Sequence, residues 1–329
     1  MHDQSDNAVK VSEERESASQ SMLESVRLGL SLAQKELDPK YFYDARGSEL
    51  FEEITRLAEY YPTRAERALL VSVMPDLIDE LRPASLVELG AGSSSKTRVI
   101  LDAMRATGEG RQYVPVDVSS DFLRESASRL RHEYPEMRID PAVGDFSDTL
   151  DLPPLQHPAL FAFLGSTIGN FREAAAVQIL ARIASRMRGN DAFILGVDLR
   201  KDPAVIEAAY NDRAGVTAEF NLNVLRVLNR ELLSDFDLSA FTHRAFYDGD
   251  RHRIEMHLDS MSDQDVTIPG IGLVGVKKGE SIRTELSYKY DRGTVDALFE
   301  KAGLCLERWL TGDDGVFGLA LGSRRWGPR

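Results

Sequence analysis

Between Ser85 and Val197 the chain alternates short, continuously apolar runs with amphipathic stretches, and that rhythm restricts the fold more than any other feature. The runs predict strands over 85–89, 113–118, 139–143, 160–164 and 192–197; the stretches between them predict helices over 96–104, 121–134 and 172–188. A strand with no polar face is buried on both sides, as in a parallel sheet covered by helices. Right-handed crossovers then give a doubly wound, Rossmann-like α/β fold. Beyond Leu199 the alternation lapses into a helical stretch to about Phe236 and three strand-like segments around Ala245, Ile254 and Leu286, separated by loops rich in Gly and Asp. It resumes with a helix over 292–302 and two closing strands over 306–310 and 316–322.

The lapse implies an insertion. Residues 62–198 plus 286–329 are expected to form the sheet domain, and 21–61 plus 199–285 a second, smaller α+β domain. In the second set, helical spacing appears at Leu23, Val26, Leu30 and Leu32 and again over 47–57, while a long helix over 63–81, stopped by Pro83, leads into the sheet. Residues 1–20 hold five acidic and two basic side chains with few large apolar ones, which predicts a flexible tail.

With 40 Lys+Arg against 53 Asp+Glu, the net charge of −13 disfavours a nucleic-acid binder. No apolar run approaches the ~18 residues of a membrane helix and the first residues lack an apolar secretory core, so a cytoplasmic protein is expected, with a monomer as the default that no sequence feature sets. The single cysteine, Cys305, excludes disulfide scaffolds and thiolate metal clusters and is expected to be buried and inert. Six histidines show no H-x-x-x-H or H-E-x-x-H spacing, and no G-x-S-x-G elbow occurs, so neither metal catalysis nor acyl transfer has support.

The stretch VELGAGSSSKT, Val87–Thr97, is the sharpest motif, because a glycine turn after a buried strand brings backbone N–H groups and a helix N-terminus up to a ligand. A dinucleotide fingerprint and a P-loop each fail at Ser95, where both want glycine, although FILGVD ending at Asp198 resembles a Walker B strand. S-adenosylmethionine fits better, since its nucleoside needs acids at successive strand ends rather than a phosphate cradle. Asp117 ends the second strand roughly 25 residues past Gly92, at the distance suited to a ribose acceptor. Gly144-Asp145-Phe146 ends the third, suited to an adenine amino group beside an aromatic wall. A nicotinamide dinucleotide, a nucleoside triphosphate and a purely structural turn stay open on pattern alone.

Other features have two readings each. FLGSTIGNF puts Gly165 and Asn170 in the crevice beyond the fourth strand, or makes Asn170 an ordinary helix N-cap. Tyr60-Tyr61 either packs between domains or offers hydroxyls and π faces. In IRTELSYKY, alternation sets Arg283, Glu285, Ser287 and Lys289 on one face, for which a solvated surface is the plain expectation.

Taken in order, FYDARGSELFEEITRLAEYYPTR, VELGAGSSSKTR, GDF, FLGSTIGNF, AGVTAEFNLNVLRVLNRELLSDFD, RIEMHL and TELSYKY closely resemble the histidine-specific methyltransferases of ergothioneine biosynthesis. The resemblance spans residues 40–322 and departs in the polar N-terminal tail and the basic end after Ser323. It implies a methyltransferase sheet and transfer of three methyl groups from S-adenosylmethionine to the α-amine of L-histidine, through mono- and dimethylated intermediates, with S-adenosylhomocysteine as by-product and no metal. It implies Tyr43, Gly90, Lys96, Asp117, Asp145 and Phe146 for the cofactor. For substrate it implies Tyr60, Gly165, Asn170, Tyr210, Met256, Glu285 and Ser287, with Tyr60, Asn170 and Tyr210 closest to the chemistry. Tyr210 and Met256 carry no signal in the pattern itself. Rival readings are methylation of a different amino acid, a nicotinamide dehydrogenase, and a nucleoside-binding protein without turnover.

Overall fold

The structure, a computed structural model, describes residues 20–325 apart from 93–95, 109, 119 and 147, so the expected tail lies outside the described residues save for Gln20. The chain divides into two compact units. The larger takes Tyr60–Val205, Gly249–Arg253 and the chain from Ser287 onward; the smaller takes the chain up to Glu59, Ile206–Asp248 and Ile254–Leu286.

An eight-stranded sheet organises the larger unit. Its spatial order is Leu304–Thr311, Phe317–Arg324, Ala192–Asp198, Ala159–Phe163, Ser85–Leu89, Gln112–Asp117 and Arg138–Ile139, with Ala142–Val143 also paired to Gln112–Asp117. Phe317–Arg324 runs antiparallel to both its neighbours, and the pairs among the other internal strands are parallel. Successive side chains enter opposite layers. Val87, Leu89, Phe161, Phe163 and Leu195 join helices Glu173–Arg186 and Arg292–Lys301 on one face. Leu86, Tyr113, Leu160 and Ile194 join helices Pro62–Leu81, Thr97–Thr107 and Ser120–Glu133 on the other. Each fully buried Leu, Ile, Val or Phe contributes about 1.5–3 kcal/mol, so two such layers hold the sheet rigid.

The expected strand over 139–143 is instead two short pieces, because Pro141 follows Asp140 and cannot donate to the ladder. Cys305 lies on the outermost strand, Leu304–Thr311, and is half-buried, not buried as expected; an edge strand leaves one side uncovered. From Ser85–Leu89 the chain moves outward through Gln112–Asp117 and Arg138–Ile139, then returns to Ala159–Phe163 on the other side. The loops leaving the carboxyl ends of Ser85–Leu89 and Ala159–Phe163 therefore diverge, and open α/β sheets hold their ligands at such a switch point.

The smaller unit contains a four-stranded sheet in the order Lys35–Glu36, Ser281–Tyr288, Arg253–Ser260, Phe241–Asp248, the terminal residues of two of these strands belonging to the larger unit. It also contains helices over 20–31, Ala45–Ile54 and Val216–Glu231. Asp44 caps Ala45–Ile54 by accepting the Gly47 N–H at 2.8 Å. Burial works against that charge, yet hydrogen bonds from Gly47, Arg230 and Asn223 hold the carboxyl below its usual range. An antiparallel hairpin, Gln264–Ile268 with Gly272–Val276, occupies a stretch expected to be loop. Among the described residues no helix is long and apolar enough to cross a membrane.

Candidate active site

At the switch point the glycine turn leaves the first strand with Gly90 and Gly92 at φ +66° and +49°, the left-handed region that side chains resist. Gly92 donates its N–H to Asp117 Oδ2 at 3.0 Å, so the carboxylate ending the second strand also fixes the turn beside it. Phe146, almost buried, stands edge-on to Phe163 with ring centroids 5.2 Å apart, and both rings lie 3.9 Å from the position a Cβ on Gly90 would take. The carbonyl of neighbouring Asp145 accepts the N–H groups of Asp148 and Thr149 at 2.9 and 3.0 Å.

Two acids missed in the sequence reading brace this turn. Glu88 accepts from Thr97 Oγ1 at 2.6 Å and Tyr113 OH at 2.5 Å. Burial dominates and pushes its carboxyl up to about 7, although those two hydroxyls and Lys96 pull the other way. Glu66, with no exposed surface, pairs through one oxygen with the Lys96 ammonium and accepts the Gly165 N–H at 2.7 Å through the other. Gly196 admits it: a Cβ at that position would fall 2.2 Å from Glu66 Oε1.

Beyond the fourth strand, Gly165 and Ser166 turn through positive φ into a short 3-10 helix, Thr167–Asn170. Asn170 lies in that turn and does not cap the next helix, whose N-cap residue is Arg172. Ser166 Oγ accepts the Asp198 N–H at 2.9 Å. The Asp198 carboxylate is itself enclosed. Tyr61 OH donates to both oxygens at 2.9 and 2.8 Å, Lys201 forms a close ion pair, and Lys289 Nζ sits 2.9 Å from Oδ2. Burial works against the charge, but the Lys289 and Lys201 ammoniums hold Asp198 below the usual carboxylate range. Burial lowers the Lys201 ammonium in turn. The Walker B resemblance therefore ends in an aspartate already engaged by two cations. Lys289 also donates to Ser287 Oγ at 2.9 Å. Lys289 and Ser287 are 2% and 4% exposed, so the expected solvated strand face is buried there, with Asp198 compensating the charge.

The smaller unit carries Tyr43, Tyr210, Met256 and Glu285. Tyr43 meets Phe51 and Phe220 edge-on, and Tyr210 and Met256 are buried. Glu285 is half-buried on Ser281–Tyr288. Asn221, fully buried, centres a polar network that reaches the carbonyls of Tyr210 and Met256: its amide donates to His243 Nδ1 and the His257 carbonyl, both at 2.9 Å, and its Oδ1 accepts from Thr284 at 2.6 Å. His243 Nδ1 therefore accepts and Nε2–H donates to the Tyr210 carbonyl at 2.9 Å. Burial lowers the His243 imidazole's affinity for a proton, consistent with that neutral tautomer.

Of the residues singled out from sequence, the larger unit thus brings Gly90, Lys96, Asp117, Asp145, Phe146, Gly165 and Asn170 to the carboxyl ends of neighbouring strands, and carries Tyr60 and Ser287 as well. Among the described residues no group of three or more His, Cys, Asp and Glu side chains has the arrangement of a metal site.

A doubly wound sheet with a glycine turn and acids at consecutive strand ends is the architecture of a nucleoside-binding α/β protein. The chain belongs to the S-adenosylmethionine-dependent histidine-specific methyltransferases, matching that family over residues 22–324. It is 44% identical to the histidine N-alpha-methyltransferase of Mycolicibacterium smegmatis, covering 94% of this chain and 97% of the relative. It is 45% identical to the protein of the same name from Mycobacterium tuberculosis, covering 90% and 92%. Ergothioneine biosynthesis protein 1 of Neurospora crassa is 28% identical over 87% of this chain and 33% of its own length.

Proposed function

We propose that the protein transfers three methyl groups in succession from S-adenosylmethionine to the α-amine of L-histidine, giving hercynine for ergothioneine biosynthesis. Membership of the family over residues 22–324 carries this reading. In this reading the protein is a cytoplasmic enzyme that works as a monomer, and its net charge of −13 disfavours nucleic-acid and anionic membrane surfaces as partners.

The residues at the switch point fit the methyl donor. The positive φ of Gly90 and Gly92 keeps the turn free of side chains, and the strand-end carboxylate of Asp117 suits paired ribose hydroxyls. Phe146 supplies the aromatic wall for adenine, Asp145 the acceptor for its amino group, and Lys96, one-fifth exposed and anchored on Glu66, the cation for the amino-acid carboxylate. Tyr43 completes the set. When bound, S-adenosylmethionine supplies an electrophilic methyl on a sulfonium, so the chain contributes no nucleophile.

What the chain contributes is position. Asn170 and the hydroxyls of Tyr60 and Tyr210 hold the amine and carboxylate of histidine, and Tyr60 presents a π face to the growing cation. Gly165 leaves room beside them, Glu285 and Ser287 take the two ring nitrogens, and Met256 packs against the ring. Holding a neutral amine in line with the methyl is worth up to ~7–11 kcal/mol in favourable cases. Titration calorimetry with S-adenosylhomocysteine, NAD and L-histidine, followed by mass spectrometry of the product, tests the assignment. S-adenosylhomocysteine binds, NAD does not, and histidine gains three methyl groups. Binding of NAD, or no methylation of histidine, overturns it.

A further inference from the structure

Inside the larger unit a buried charge cluster touches three separate segments that carry proposed substrate residues. Asp198 is bonded to Tyr61, which follows Tyr60; to Ser166, which follows Gly165; and to Lys289, which reaches back to Ser287. The Asp198 carboxylate faces two ammoniums, Lys201 and Lys289, and Lys201 also feels the Asp314 carboxylate, in a place where Asp198, Lys289 and Ser287 are all under 5% exposed. Burying such a group is expensive, and a simpler apolar strand end would hold the sheet as well.

The polarity of the Lys289–Ser287 bond is fixed by chemistry. An ammonium has three donors and no acceptor, so the serine oxygen accepts. Accepting from a cation polarises the hydroxyl and strengthens its own O–H as a donor. The Lys289 ammonium, already bonded to that oxygen, disfavours a second cationic donor at the same hydroxyl, so the ring nitrogen that meets Ser287 is the unprotonated one. A neutral imidazole has one N–H and one bare nitrogen, and the bare nitrogen is the partner a polarised hydroxyl requires.

We propose that Lys289, held by Asp198, is a positioning residue that makes the Ser287 hydroxyl a hydrogen-bond donor to the unprotonated ring nitrogen of the histidine substrate. The inference rests on the assignment of Ser287 to the substrate. It adds a residue that sets the direction of that hydrogen bond, and hence the form of the ring that is selected.

Steady-state methyl transfer at saturating S-adenosylmethionine separates the possibilities. Lys289→Met raises KM for L-histidine by about tenfold or more, the loss expected for one charge-assisted hydrogen bond, while kcat stays within about threefold. Binding of S-adenosylhomocysteine, read by calorimetry, is unchanged and reports that the sheet is intact. Lys289→Arg, which keeps a cationic donor, recovers most of the KM. In a Ser287→Ala background, Lys289→Met adds less than about twofold, because the residue it acts through is gone. If Lys289→Met melts the protein, Lys289→Gln keeps a neutral donor at similar length and is read the same way, with an intermediate KM expected. A KM within twofold of the parent, or the full loss repeated in the Ser287→Ala background, overturns the proposal. If Ser287→Ala alone leaves the histidine KM unchanged while histidine is still methylated, the assignment of Ser287 fails and the inference falls with it. No methylation of histidine by the parent points instead to failure of the proposed function.

Discussion

Glu66 holds the ammonium of Lys96 with one carboxylate oxygen and the backbone amide of Gly165 with the other, so one fully buried acid ties together the two loops that diverge at the switch point of the sheet. Lys96 follows the glycine turn, and Gly165 opens the loop that leads to Asn170. The separation between the loop proposed for the methyl donor and the loop proposed for the amino acid is thereby set by a side chain that belongs to neither.

Replacing Glu66 by Gln keeps an acceptor for Gly165 but removes the charge that Lys96 faces. The expected loss of stability is about 2–3 kcal/mol by urea denaturation, below the usual range for a broken buried pair because Lys96 is one-fifth exposed and can turn to water. A Glu66→Gln protein with the parent's urea midpoint would show that the pair contributes nothing.

Asp117 has two tasks, a ribose acceptor in the proposed complex and the anchor of the Gly92 amide in the structure. Asp117→Ala loses both and should weaken S-adenosylhomocysteine binding by about 1.5–3 kcal/mol, with histidine affinity far less affected. Asp117→Asn still accepts from Gly92 and should lose less. Calorimetry decides: equal affinity in all three proteins removes Asp117 from the nucleoside site.

Glu88 predicts how stability varies with pH. Its carboxyl titrates near 7 in the folded chain against an ordinary 4.5, so between those values the native state binds more protons than the unfolded one. The stabilising contribution is complete below about 4.5 and is lost as pH rises through about 7. Its size is on the order of 3 kcal/mol, at 1.36 kcal/mol for each pH unit of separation. Glu88→Gln still accepts from Thr97 and Tyr113 and has nothing to ionise, so any fixed cost of the amide is the same at every pH. Urea midpoints at pH 5 and pH 8 should therefore differ less in the variant than in the parent; parallel pH profiles would place the titration elsewhere.

The strands were legible where burial is complete. Ser85–Leu89 is buried at every position, so its composition alone announces it. The hairpin at 264–276 was missed because Pro269, Gly270 and Gly272 read as loop, although Val266, Ile268 and Val276 do alternate and are buried. Glu66 left a trace that went unused. It sits on the same helical stripe as Pro62, Leu69 and Leu70, and a carboxylate on an apolar stripe needs a partner. The partnership of Asp198 with Lys289 leaves no such trace. It joins residues 91 positions apart across elements whose approach only the folded sheet defines, so alternation alone made Lys289 look solvated. The glycine turn and strand-end acids were readable because their chemistry is local to each strand end; the braces behind them are long-range.

Selection of histidine rests on Glu285 in the proposed complex, and that role predicts a change of specificity rather than simple loss. Glu285 and Ser287 are two apart on one strand and so share a face. With histidine bound, the carboxylate accepts the ring N–H; with an apolar ring it has no partner and loses its solvent, the situation in which sites of this kind discriminate by ~10⁴ or more. Glu285→Ala should lower kcat/KM for histidine by ~10² or more, since both the hydrogen bond and the orientation of the ring are lost. It should at the same time improve the relative use of phenylalanine or tryptophan, because the penalty against them disappears. Met256→Val, at a position 1% exposed, adds space for the larger ring and should extend the gain for tryptophan. S-adenosylhomocysteine affinity should barely move. Competition assays with paired amino acids measure the ratio directly, and a Glu285→Ala enzyme that methylates histidine like the parent and still refuses tryptophan removes Glu285 from the ring site.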